Sequence, residues 1–247
     1  MVKTNFPLQI PGIDVELVDL FRDRATLSEQ LEQFADLYDQ RPFENTGGIK
    51  FDSAFAYYYF LKRMMPEVVI ESGFWRGFST WLIDAMLPNI ELYCLDPVLM
   101  MPVNLESCYR SPRANYSTQD FSCFGFGLDP SVRTCAIFDD HQNVAPRIEQ
   151  CLRYGIQDVL LDDNQYEETY HLSITHLIKH NDPILPDLFS WIDEYYVFPP
   201  IVPVEIEGCP LAPLWDEVPS RLKHLDRNEH FVYSWVTYLR LKPQFTV

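Results

Sequence analysis

The chain is poor in glycine, in positive charge and in long apolar runs. Nine glycines stand against nineteen prolines, which excludes a collagenous chain and predicts stiff connections. Lys and Arg number 19 against 36 Asp and Glu, a formal net charge of −17. Nucleic-acid backbones and anionic membrane surfaces are both gripped by basic patches, so neither is an expected partner. The longest apolar runs fall short of the roughly 20 residues a bilayer span needs, and charges interrupt them. Met1–Gly12 has a lysine but no apolar stretch, so it does not read as a signal peptide. The six cysteines, Cys94, Cys108, Cys123, Cys135, Cys151 and Cys209, form no CxxC pair. They read as free thiols of a reducing, cytoplasmic compartment rather than a disulfide framework. No repeat is visible. A GxGxxG turn and a GK[ST] loop are both missing, which argues against a dinucleotide cradle and a Walker loop.

What is present is an ordinary globular composition, 47% hydrophobic and 22% charged, enough for a full core at this length. Leu27, Leu31, Phe34 and Leu37 follow helical steps, and Thr26 with Glu29 matches a capping box, so a helix is expected to start there. A second helix carries Phe51, Ala54, Tyr58 and Leu61 and ends before Pro66. Short β-branched strands then alternate with helices. Val68–Ile70, Glu91–Asp96, a weak Asn115–Thr118, Thr134–Asp139 and Asp158–Asp162 read as strands, Phe78–Met86 and Val144–Tyr154 as helices. That rhythm predicts an α/β fold: a mainly parallel sheet with helices on both faces. Phe231–Leu241 alternates like a final antiparallel strand. Residues 1–50 are expected to form an N-terminal helical cap and 51–247 the main domain. The proline- and aromatic-rich stretch 183–220 reads as an insertion covering the sheet edge, either over a substrate or as plain structural cover. Its aromatics between 189 and 215 are a candidate homo-oligomer interface.

Right-handed crossovers place every parallel strand's carboxyl end on one edge, and the chemistry-bearing residues fall there. Glu71, Gly73, Gly77 and Ser79 form ExGxxxGxS between a strand and a helix, with Trp75 and Arg76 inside the loop. Glycine is needed where a ligand approaches backbone, and a strand-end carboxylate suits an ammonium or hydroxyl. Asp96 closes the next strand about 20 residues on, where an acid accepts ribose hydroxyls. Asp139-Asp140-His141 and Asp162-Asp163-Asn164 end two further strands, one helix apart. Two carboxylates and an amide oxygen are hard ligands suited to Mg²⁺; the bland alternative is that such residues cap helices.

Taken together, ESGFWRGFS, the acid of CLDP, FDDH and LDDN resemble the class I S-adenosylmethionine-dependent methyltransferases, and more narrowly the metal-dependent catechol and caffeoyl-CoA O-methyltransferase group. The resemblance covers roughly residues 52–180. It implies a Rossmann-like methyltransferase fold and, as function, metal-assisted O-methylation of a small molecule. Glu71, Gly73, Trp75, Gly77, Ser79, Asp96, Asp120 and Asp140 would then contact the cofactor, S-adenosyl-L-methionine. Asp140, Asp163 and Asn164 would hold the metal, with Asp140 and His141 catalytic. The catechol-type pattern places a lysine base where this chain has Asn143, so His141 and His171 are the substitutes at hand. Two alternatives stand beside this reading. One is a methyltransferase-like domain that binds a ligand or partner without methylating; the other is a metal enzyme of different chemistry on the same fold.

Overall fold

The computed structural model describes residues 9–10, 13–17, 24–45, 48–97, 108–125, 127–129, 131–164, 173–198, 200–202, 215–225 and 234–243. Two short strands, β1 (Gln9–Ile10) and β2 (Ile13–Leu17), precede helix α1 (Arg24–Tyr38) and helix α2 (Phe51–Met64). In α1, Leu27, Leu31, Phe34, Ala35 and Tyr38 are buried, as steps of three and four require. The helix already runs from Arg24, so Thr26 and Glu29 lie inside its opening turns instead of forming the expected cap. Burial surrounds α2 on nearly every side, which marks a core helix. Phe34 meets the rings of Tyr38, Phe51, Phe55 and Tyr58 at centroid distances of 5.0 to 5.8 Å. Each such pair adds about 0.5–1.5 kcal/mol beyond area burial. Arg221 also reaches from a later segment to Asp36 and Asp39 on and just beyond α1.

Next come β3 (Val68–Ser72), α3 (Phe78–Met86), β4 (Glu91–Leu95), β5 (Ala114–Ser117), β6 (Thr134–Phe138), α4 (Val144–Tyr154) and β7 (Asp158–Leu161). The chain continues through α5 (Ile174–Lys179), α6 (Leu185–Trp191), β8 (Ile192–Val197) and β9 (Thr237–Leu241). The nine strands form one sheet in the order β1-β2-β8-β9-β7-β6-β3-β4-β5. Between β8 and β5 only β9 runs against its neighbours. The fold is therefore the expected Rossmann-like, mainly parallel α/β sheet, with its antiparallel strand inserted between β7 and β8. Its two faces bury separate clusters. Val69, Ile137 and Leu160 pack with the α1–α3 side, and Ile70, Ala136 and Val159 with the α4–α6 side. Adjacent residues of β3 thus serve opposite faces, which explains why its sequence is apolar without alternation.

Among its described residues the stretch 183–220 carries α6 and β8, and β8 pairs with both β2 and β9. Of its aromatics, Phe189, Tyr195 and Phe198 are buried and Trp191, Tyr196 and Trp215 half-buried, so they build the core rather than an exposed face. The last strand is shorter than expected, because Ser234–Val236 precede it as irregular chain; residues 231–233 lie outside the described part. Cys94, Cys135 and Cys151 are buried free thiols, Cys108 is half-buried and Cys123 exposed; Cys209 lies outside the described residues. Among the described residues no helix is long and apolar enough to cross a membrane.

Candidate functional site

Order reversal in a doubly wound sheet opens a crevice at the strands' carboxyl ends, between β3 and β6 here. A crevice of about 510 Å³ lies there, lined by Gly48, Ile49, Lys50 and Ser53 ahead of and within α2, and by residues following β3, β4, β6 and β7. That volume suits a nucleoside-sized ligand with room beside it.

The turn after β3 is shaped by two glycines. Gly73 has φ +87°, and a Cβ there would collide with the Asp139 carbonyl. Gly77, at φ +85°, starts α3, and its Cβ would meet the Tyr109 carbonyl. Between them Trp75 also adopts positive φ, is 44% exposed and lines the crevice. Asp96 and Pro97, past the end of β4, line it as well.

Glu71 and Ser79 lie deeper. The Glu71 carboxylate accepts Thr80 Oγ1 at 2.6 Å and Cys94 Sγ at 3.4 Å, and it is not among the residues lining the crevice. Burial pushes its carboxyl above the ordinary range, opposed by hydrogen bonds from Ser79, Thr80 and Cys94. Both residues therefore support the turn from beneath rather than face the opening.

The acidic strand ends divide their labour differently from the sequence expectation. Asp140 lines the crevice, but its Oδ2 accepts Ser72 Oγ at 2.7 Å and Arg147 Nε at 2.9 Å, and its Oδ1 accepts Gln142 N–H. Arg147 is almost fully buried and also grips Asp120 at 2.6 Å. A buried guanidinium needs such partners, and Arg147 holds Asp120 and Asp140 in place together. Arg147 holds the Asp120 carboxyl well below its usual range. Asn164 is likewise occupied. Its Oδ1 accepts the N–H groups of Ile174 and Thr175, and its amide donates to Tyr195 and Thr237, all buried. Asn164 thereby clasps β7, α5 and β9 together. Asn143 caps α4 through Ala145 N–H, which accounts for a short amide where the family resemblance expects lysine. His171 lies outside the described residues.

The groups that do converge are Asp139, His141 and Asp163, whose ligand atoms lie within 4.8 Å of one another. His141 Nε2 is 3.2 Å from Asp163 Oδ2 and 3.7 Å from Asp139 Oδ1. His141 and Asp163 both have positive φ, so two strained residues face each other. The Asp163 hydrogen bond raises the His141 pKa. Burial pushes Asp139 well above its ordinary range, and Asp162 and Asp163 push it further. Asp162, also on the crevice, is raised to about 7, by burial first and Asp163 next. It accepts the Ser234 hydroxyl, and Ser234 in turn lies 2.7 Å from Ser53 Oγ. This hydroxyl pair joins β7's end to α2. Behind it, Tyr57 is wholly buried and its hydroxyl has no hydrogen-bond partner among the described residues. Burial and the charges of Asp162, Asp139, Glu71 and Asp163 hold its phenol well above the usual range.

Sequence reasoning missed Asp139, Asp162, Ser53 and Ser234. The first two stood in the acidic pairs it singled out; the serines carried no signal, being far apart in the chain.

No protein-family model matches the chain, and no curated protein matches its sequence. Solved structures similar to it include the plantazolicin methyltransferase BpumL in complex with a pentazolic desmethylPZN analog and SAH. That likeness has 15% identity over 90% of this chain and 99% of that one, with TM-score 0.47. The SAH-bound Podospora anserina methyltransferase PaMTH1 is 12% identical over 94% of this chain and all of its own, TM-score 0.46. A structure described as cmcI-N160 with SAH is 14% identical over 54% and 77%, TM-score 0.37. At such identities and TM-scores these likenesses carry no functional weight, which leaves the reading of the crevice to its own residues.

Proposed function

We propose that the chain is an S-adenosylmethionine-dependent methyltransferase that methylates an oxygen of a small molecule with the help of a divalent cation. The observation that carries this is convergence: Gly73, Trp75 and Asp96 on one side, and Asp139, His141 and Asp163 on the other, line a single crevice. Asp96 is suited to ribose hydroxyls, and the Gly73 turn leaves backbone at the opening. Two carboxylates and one imidazole within chelating distance fit a divalent ion. The imidazole moves the preference from Mg²⁺ toward Mn²⁺, Fe²⁺ or Zn²⁺.

When bound, the cofactor supplies an already reactive methyl and the cation lowers the acceptor hydroxyl's pKa while fixing its direction. The residues of the chain mainly align and exclude. Trp75 walls the opening. Asp139, His141 and Asp163 set the cation side, and the Ser53–Ser234 pair steadies Asp162 next to them. Proton acceptance falls to the crevice carboxylates or His141, since Asn143 offers no base.

Calorimetry with S-adenosylhomocysteine tests the cofactor half. Micromolar binding is expected, weakened at least tenfold in Asp96→Ala; no heat at high micromolar ligand sinks the proposal. The capping role of Asn143 favours a second reading, a cofactor-binding domain that does not methylate. A mass gain of one methyl on any acceptor, dependent on cofactor, rejects it.

A further inference from the structure

Tyr57 lies outside everything assigned so far. It sits one turn after Ser53 on the same face of α2, and Ser53 reaches Asp162 through Ser234. An unpartnered buried hydroxyl costs about 1–3 kcal/mol, and Phe would fill the same space without that penalty. A phenol carries its proton at neutral pH and is therefore a ready donor. The carboxylates acting on it most strongly belong to Asp162 and Asp139, both on the crevice wall. Ser234 donates to Asp162 Oδ1, and a carboxylate accepts several donors at once. Ligating carboxylates and their neighbours are themselves held by outer hydrogen bonds.

We propose that Tyr57 is a positioning residue of the cation site: its hydroxyl donates to Asp162 from behind when a divalent ion is captured by Asp139, His141 and Asp163. This rests on the cation part of the proposed function. From α2, Ser53 through Ser234 and Tyr57 directly would then bracket the Asp162 carboxylate and fix the spacing of the β6 and β7 ends.

The test is Tyr57→Phe in the full chain, titrated with Mn²⁺ and, separately, with S-adenosylhomocysteine. Mn²⁺ affinity is expected to fall about tenfold, with cofactor-product affinity and thermal midpoint not lowered. A merely structural tyrosine would lower the midpoint and leave Mn²⁺ affinity alone. In the wild type, Mn²⁺ should also produce a tyrosine ultraviolet difference signal that Tyr57→Phe lacks; its absence from the wild type overturns the proposal even if the variant does not fold. Mn²⁺ affinity within twofold of wild type overturns the Tyr57 role alone. Wild-type protein that binds no Mn²⁺ overturns the cation reading and this proposal together.

Discussion

At the scale of single residues the site depends on positions where one atom decides the outcome. Gly73 is such a position, because its backbone is left-handed and the Asp139 carbonyl occupies the place of a Cβ. Gly73→Ala should destabilise the fold by roughly 2 kcal/mol or more and abolish S-adenosylhomocysteine binding; a thermal melt and calorimetry would show both. Its importance was legible in the sequence as a glycine between strand and helix. The choice between Asp139 and Asp140 was not. Two consecutive acids look alike in sequence; the buried Arg147 draws Asp140 to itself, and Asp139 is the one grouped with His141 and Asp163. The hydrogen bonds of Asn164 were equally illegible, since an amide that clasps two N–H groups is chemically identical to one that would bind a cation.

Among the elements, the central strands and helices were readable from apolar runs and helical spacing, because burial on both faces leaves an unambiguous signal. β8 was not: a register shift between Ile192 and Glu194 interrupts the alternation by which a strand is recognised. Its neighbouring segment is fastened to α2 by Asp52, whose carboxylate accepts Ile201 N–H at 3.3 Å while Oδ1 is unpartnered. Burial raises the Asp52 pKa to about 7. A carboxyl raised in the folded state leaves stability unaffected below its unfolded pKa and diminishes it as pH climbs through the folded value. An ionised Asp52 thus costs up to about 4 kcal/mol above pH 7. Asp52→Asn keeps the acceptor for Ile201, so its melting temperature should exceed wild type by roughly 5 °C or more at pH 8 and match it at pH 4. Equal midpoints at pH 8 would refute the burial of that charge.

For the whole molecule, the proposed cation site would link stability to cation binding. Asp139 and Asp162 have raised pKa values, so each contributes less stability as pH rises from about 4 toward and beyond 7. The raised His141 pKa acts in the same direction, its share being complete below about 6.5 and lost as the ring deprotonates. A divalent ion among these groups relieves the repulsion. Mn²⁺ should therefore raise the melting temperature more at pH 8 than at pH 5; an equal rise at both would dissociate the ion from this cluster.

Arg147 has a final consequence for how the crevice can adapt. By clamping the segment after β5 to the segment after β6 with two carboxylates, it braces one bank of the opening. Guests of different size must be accommodated on the opposite bank, where Gly48, Ile49 and Lys50 lead into α2. On the proposed methyltransferase reading, selectivity for the acceptor would fall to these three residues before a buried helix, beside a bank braced by Arg147.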